Sequence, residues 1–140
     1  MNSVGIDVSK GRSTVAVMRP FGEVVISPFE VRHTNSELSA LARLLKSLDG
    51  ETRVVMEATE NYHTPVAKVL HDARLYVSVV HAKLIHGYGN NDLRRVKTDR
   101  KDAVKPANYG LNRWLTLPRY FPEEDTRLLL KNCYRQYKQY

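Results

Sequence analysis

The strongest constraint on this chain is a change of period part of the way along it. Up to about residue 26, short apolar segments alternate with glycine-bearing turns. Val4-Gly5-Ile6-Asp7-Val8 reads as a buried strand, Ser9-Lys10-Gly11-Arg12 as a turn, Ser13 to Met18 as a second strand, and Pro20-Phe21-Gly22 as a turn into a third strand over 23–26. Turn residues at this spacing make hairpins. From Thr34 onward the period becomes helical. Thr34-Asn35-Ser36-Glu37 offers an N-cap with a glutamate soon after, and Leu38, Leu41, Leu44, Leu45 and Leu48 recur at helical spacing.

Strands and helices then alternate. Residues 53–57 form an apolar strand, 61–73 a helix with Val66, Val69 and Leu70 on its inner stripe, 75–80 a valine-rich strand, and 81–88 a short helix. Pro65 is tolerated in the first turn of its helix. Residues 87–98 are polar, glycine-bearing and basic, and read as a mobile loop. A helix is expected over 99–111, kinked or broken by Pro106. A proline-marked connector and a last helix over 123–140 follow. A meander followed by crossovers gives an α/β fold, a mixed five-stranded sheet with helices on both faces. That is the layout of ribonuclease H-like (RuvC-like) domains, and it lies close to that of actin-like sugar kinases. The expected division is a domain over 1–112, then a connector and the start of a helical segment over 113–140.

Composition narrows the classes. No run of about 18 apolar residues is available to span a bilayer, and the N-terminus lacks a secretory pattern. The single cysteine, Cys133, excludes an internal disulfide and a cysteine-based zinc site. A reduced, cytoplasmic setting is the expectation. Net charge is +7, the sign expected of a domain that meets polyanions. Lys83, Arg94, Arg95, Lys97, Arg100, Lys101 and Lys105 crowd one stretch, opposed only by Asp92, Asp99 and Asp102.

Four carboxylates stand where metal chemistry would need them. Asp7 interrupts an apolar strand, where a buried carboxylate wants a partner or a metal. It could equally bond a turn amide. Glu57 ends a strand at the carboxyl edge of the parallel part of the sheet, where ligands of open sheets gather; an exposed strand-end glutamate is the plainer reading. Asp99 and Asp102, three apart, would lie about 5–6 Å from each other on one helix face. Both would also serve as an N-cap and a first-turn acid. Flanking Lys97, Arg100 and Lys101 add the positive charge that draws a phosphate backbone to a metal site. The histidines show no ligand spacing with these acids, His63 near Glu57 being the one to check. Trp114 reads as an anchor for the connector. Tyr134, Tyr137 and Tyr140 read as packing residues, and Tyr88 as a stacking or locally packed aromatic.

Three segments together carry a family resemblance: Gly5-Ile6-Asp7-Val8-Ser9-Lys10, Met56-Glu57-Ala58-Thr59-Glu60-Asn61-Tyr62, and Arg95-Val96-Lys97-Thr98-Asp99-Arg100-Lys101-Asp102-Ala103. In order and spacing they resemble the IS110 (IS110/IS116/IS902) transposases over roughly residues 3–111. The resemblance implies a RuvC-like domain whose DEDD tetrad falls on Asp7, Glu57, Asp99 and Asp102, holding Mg2+ or Mn2+. It implies a DNA recombinase guided by a bridge RNA, working as a homo-oligomer such as a dimer, with an attacking serine on a separate C-terminal domain beyond Tyr140. Lys10, Lys83, Arg94, Arg95, Lys97, Arg100 and Lys101 would bind nucleic acid. The chain departs from the family pattern at Glu60, where glycine is expected, at His81-Ala82, where Asn-Pro is common, and at Pro106.

Other readings stay open from sequence. A stand-alone RuvC-type junction resolvase needs the same acids and basic face. A non-catalytic module would use the basic loop to hold RNA and the acids as caps. A sugar-kinase fragment would want glycine and threonine after Asp7, where Val8-Ser9-Lys10 stand.

Overall fold

The computed structural model describes residues 1–59, 61–87 and 102–122. The basic loop from Tyr88 to Thr98, Asp99, Arg100, Lys101, Glu60 and the last helix over 123–140 lie outside the described residues. Five strands form one sheet in the order β3-β2-β1-β4-β5. They are β1 (Asn2–Ser9), β2 (Arg12–Arg19), β3 (Glu23–Arg32), β4 (Thr52–Glu57) and β5 (Tyr76–Val80). The first three pair antiparallel, whereas β1, β4 and β5 run parallel. The mixed five-stranded sheet is therefore present.

The third strand is longer than its apolar run suggested. Its pairing with β2 shifts register between Val15 and Val17, and the shift absorbs Ser27 and Pro28. Proline is accepted there because β3 is an edge strand. Helix α1 (Asn35–Lys46) opens on Thr34, whose side chain accepts the Glu37 N–H at 3.3 Å. The Glu37 carboxylate reaches back to the Arg32 N–H at 3.1 Å. The cap and its glutamate thus fasten the end of β3 to the start of the helix. Helix α2 (His63–Asp72) places Pro65 in its first turn and buries Val66, Ala67 and Leu70. Helix α3 (Ala82–Gly87) follows β5.

Of the expected helix over 99–111, residues 99–101 lie outside the described residues, and 102–103 differ from the expectation. Asp102 and Ala103 form a short 3-10 turn, and α4 runs Val104–Asn112. Pro106 does not break it. It is buried in the first turn, where the backbone N–H groups have no partner inside the helix and a missing one costs nothing.

The two faces of the sheet pack differently. One carries Val4, Ile6 and Val8 of β1, Val15 and Val17 of β2, Val54 and Met56 of β4, and Val77 of β5, all buried against α1 and α2. The other carries Ser3, Gly5 and Asp7, with Val55 and Glu57 beside them, and is covered by α4. Alternation of side chains along each strand enforces this division.

Candidate active site

Asp7 and Glu57 are brought together by strand register. The parallel ladder pairs Gly5 with Val55 and Ile6 with Met56. Asp7 and Glu57 are the next residues on the two strands and share the α4 face. Adjacent strands lie about 4.8 Å apart, so the two acids stand side by side at the carboxyl edge of β1 and β4. Both are half-buried, while Ile6 and Met56 next to them are wholly buried.

Gly5 is the reason α4 can reach this edge. A Cβ at position 5 would stand 2.0 Å from the Ala103 carbonyl oxygen and 2.5 Å from the Ala107 nitrogen. At Gly110, a Cβ would stand 2.4 Å from Ser3 Oγ and 2.8 Å from a Val55 methyl. The Ser3 hydroxyl donates to the Ala107 carbonyl at 2.6 Å. Gly110 therefore lies over Ser3, and Ala103 over Gly5. The helix runs antiparallel to β1 with its N-terminal end toward Asp7. Glycine within a strand marks such a close backbone approach, and Gly5 is the one sign of it in the sequence of β1.

Asp102 stands one residue before Ala103, at this same end of the sheet. Its Oδ1 lies 3.7 Å from Lys105 Nζ. Among the described residues no three acids, histidines or cysteines form a group that could hold a metal ion. The structure thus brings Asp7 and Glu57 together and places Asp102 at their end of α4, with its carboxylate outside such a cluster. The donors are oxygens, the set suited to Mg2+ or Mn2+ rather than to softer metals.

Of the cations expected to meet nucleic acid, Lys10 is exposed on the β1–β2 hairpin and Lys83 is exposed on α3, just past the carboxyl end of β5. Both lie at the carboxylate end. Arg94, Arg95, Lys97, Arg100 and Lys101 lie outside the described residues. His63 ties down the segment after Glu57: its Nδ1 receives the Thr59 N–H at 3.2 Å and lies 2.6 Å from the Thr59 carbonyl oxygen.

The opposite end of the sheet is built otherwise. Arg53 lies between the rings of Tyr76 and Trp114, 4.3 and 4.7 Å from their centroids, and pairs with Glu51 at 3.1 Å. Its guanidinium also donates to the Trp114 carbonyl, and Tyr76 Oη donates to the Leu117 carbonyl at 2.6 Å. Trp114 does anchor the connector. Beside this cluster, a cleft of about 320 Å³ is lined in part by Lys46, Glu51, Arg74 and Arg119.

The family model "DEDD_Tnp_IS110: Transposase" matches residues 4–140. No curated protein sequence matches the chain. Among solved structures, Thermus thermophilus RuvC is similar over 86% of this chain and 100% of its own, with a TM-score of 0.59 at 12% identity. T. thermophilus RuvC in complex with a Holliday junction substrate is similar over 86% and 99%, with a TM-score of 0.59 at 13% identity. At such identities the likeness is one of fold, and it fits the strand order and the helices on both faces. The sequence match spans nearly the whole chain and includes both strand acids and the start of α4, so the chain belongs to the IS110 family of DEDD transposases.

Proposed function

We propose that this chain is the metal-dependent nuclease part of a DNA recombinase, with Asp7, Glu57, Asp99 and Asp102 as its acidic set. The observation that carries the reading is the meeting of Asp7 and Glu57 on neighbouring parallel strands, under a helix that Gly5 lets down onto the sheet. The sequence carries Asp99 and Asp102 just ahead of that helix. Four oxygen-bearing side chains, two on neighbouring strands and two just ahead of α4 in the sequence, suit a pair of hard divalent cations. Such ions, when bound, polarise a scissile phosphate and neutralise charge on the attacking and leaving oxygens.

The protein's own part is positional. The two strand acids are fixed by the sheet, so their separation does not depend on loop conformation. Lys10 and Lys83, on either side of the carboxylate edge, attract the phosphate backbone and hold it there. The T. thermophilus RuvC complex contains a Holliday junction, which makes branched DNA a suitable substrate class to assay. Family membership supports transposition as the setting, with a bridge RNA as guide and assembly into a dimer.

The reading is tested by titrating the chain with Mn2+ and following the free-ion signal by electron paramagnetic resonance. Saturable binding should weaken at least about tenfold in Asp7→Asn and in Glu57→Gln, since each removes a charged oxygen ligand. Asp72→Asn, an exposed acid on α2, should leave it unchanged. Equal affinity in all four proteins would overturn the proposal.

A further inference from the structure

The ladder between β2 and β3 sets two like charges directly opposite each other. Arg12 pairs in register with Arg32, and both are exposed. Like charges facing each other across an antiparallel pair are destabilising. No ion pair among the described residues engages either guanidinium. Two acids stand nearby. Glu30, opposite Thr14, shares their face, and Glu37 receives the Arg32 backbone N–H. The Arg32 side chain pairs with neither.

The pair also has a definite address. Asp7 lies opposite Thr14 and Ser9 opposite Arg12, so Asp7, Thr14, Arg12 and Arg32 share the face that α4 covers. Arg12 is the diagonal neighbour of Asp7, a relation that spans about 7–8 Å. Lys10 projects from the hairpin between them. A repulsive cationic pair thus stands one step along the sheet from the acids, on their own face.

We infer that Arg12 and Arg32 form a clamp for the phosphodiester backbone of DNA, gripping a phosphate next to the one presented to Asp7 and Glu57. Two guanidiniums offer planar donor forks that fit phosphate oxygens. An anion between them converts their repulsion into attraction. The inference rests on the DNA-cleaving reading above and adds the residues that set the path of the strand away from the acids.

The test compares two double variants of the full 140-residue chain, each removing two positive charges. Arg12→Thr/Arg32→Thr removes the clamp and keeps strand-forming residues. Lys46→Gln/Arg74→Gly removes cations at the opposite end; Arg74 has a φ of 68°, which glycine adopts freely. Binding to a DNA duplex, a four-way DNA junction and an RNA duplex is measured by fluorescence anisotropy across a salt series. The clamp variant should bind about tenfold more weakly at 0.1 M salt, with a log–log salt slope shallower by about 1, the value for one lost phosphate contact. The control should retain most of its affinity. Arg12→Thr and Arg32→Thr singly should each raise the melting midpoint by about 1–4 °C. Equal losses in both double variants, a loss confined to an RNA duplex, or a lowered midpoint in both single variants would overturn the clamp. Failure of the unaltered chain to bind any DNA would instead defeat the reading on which it rests.

Discussion

The two faces of this sheet follow different packing rules, and the difference shows what each is for. The face under α1 and α2 is filled with valine, isoleucine, leucine and methionine, with Ile6, Leu45, Met56 and Leu70 fully buried. Its contribution scales with apolar area removed from water, about 25 cal/mol per Å2. The face under α4 is lined at its contact by Ser3, Gly5, Ala103, Ala107 and Gly110. At that contact so little side-chain bulk contributes little burial; the apolar packing of this face lies beside it, where Val55, Val80, Ile85 and Leu117 form a second buried cluster. What the contact permits is closeness: the α4 backbone settles onto β1, and Asp102 just before the helix arrives at the end of the strand that carries Asp7. One face carries the larger apolar cluster, and the other sets the position of α4.

The contrast can be broken most severely at Gly5. Gly5→Val should abolish cooperative folding, a loss of about 5 kcal/mol or more and so comparable with the whole stability of a small domain. The added carbon atoms would meet the helix backbone rather than a side chain that can turn aside. Circular dichroism of the purified variant checks this, and a normal melting curve would show that α4 can back away. On the aliphatic face, Leu45→Ala should cost about 2–5 kcal/mol through lost burial and a residual cavity. Denaturant unfolding measures it, and the variant should still bind Mn2+ when folded. Ser3→Ala should cost about 1 kcal/mol by removing the bond to the Ala107 carbonyl. Because that bond fastens α4, its loss should weaken Mn2+ binding more than Leu45→Ala does, in spite of the smaller stability change.

The smallest effect concerns His33, whose Nε2 lies 2.7 Å from Ser13 Oγ. Burial holds its pKa below the ordinary imidazole value of 6.5. Between the lowered value and 6.5 the unfolded chain binds more protons than the folded one, so stability rises with pH across that window. The contribution is fully present above 6.5 and is lost as pH falls through the folded value. His33→Gln should flatten the melting midpoint between pH 5 and 7, as differential scanning calorimetry at several pH values would show.

Much of the fold was legible because hydrophobic period is a local property. The leucine ladder of α1, the Thr34 cap and the valine runs of β4 and β5 announced themselves without knowledge of their neighbours. The length of β3 was not legible, because Ser27 and Pro28 look like a strand end until an edge strand with a shifted register accommodates them. Pro106 misled for a similar reason: its effect depends on where the helix begins, and α4 begins two residues before it. At the site, Asp7 and Glu57 could be picked out singly and expected side by side on adjacent strands; the register that places them so is visible in neither segment alone. The opposition of Arg12 and Arg32 is of the same kind. These residues are twenty apart in sequence, and only strand pairing sets them face to face.

The account stands or falls on whether the Asp7–Glu57 edge is a metal site. Crystals of the chain grown in Mn2+, with diffraction collected at the manganese absorption edge, test it directly. The account predicts an anomalous peak within ligand distance, about 2.0–2.4 Å, of carboxylate oxygens from both Asp7 and Glu57, lost in Asp7→Asn crystals. No peak at that edge, or a peak elsewhere that survives both Asp7→Asn and Glu57→Gln, would contradict it.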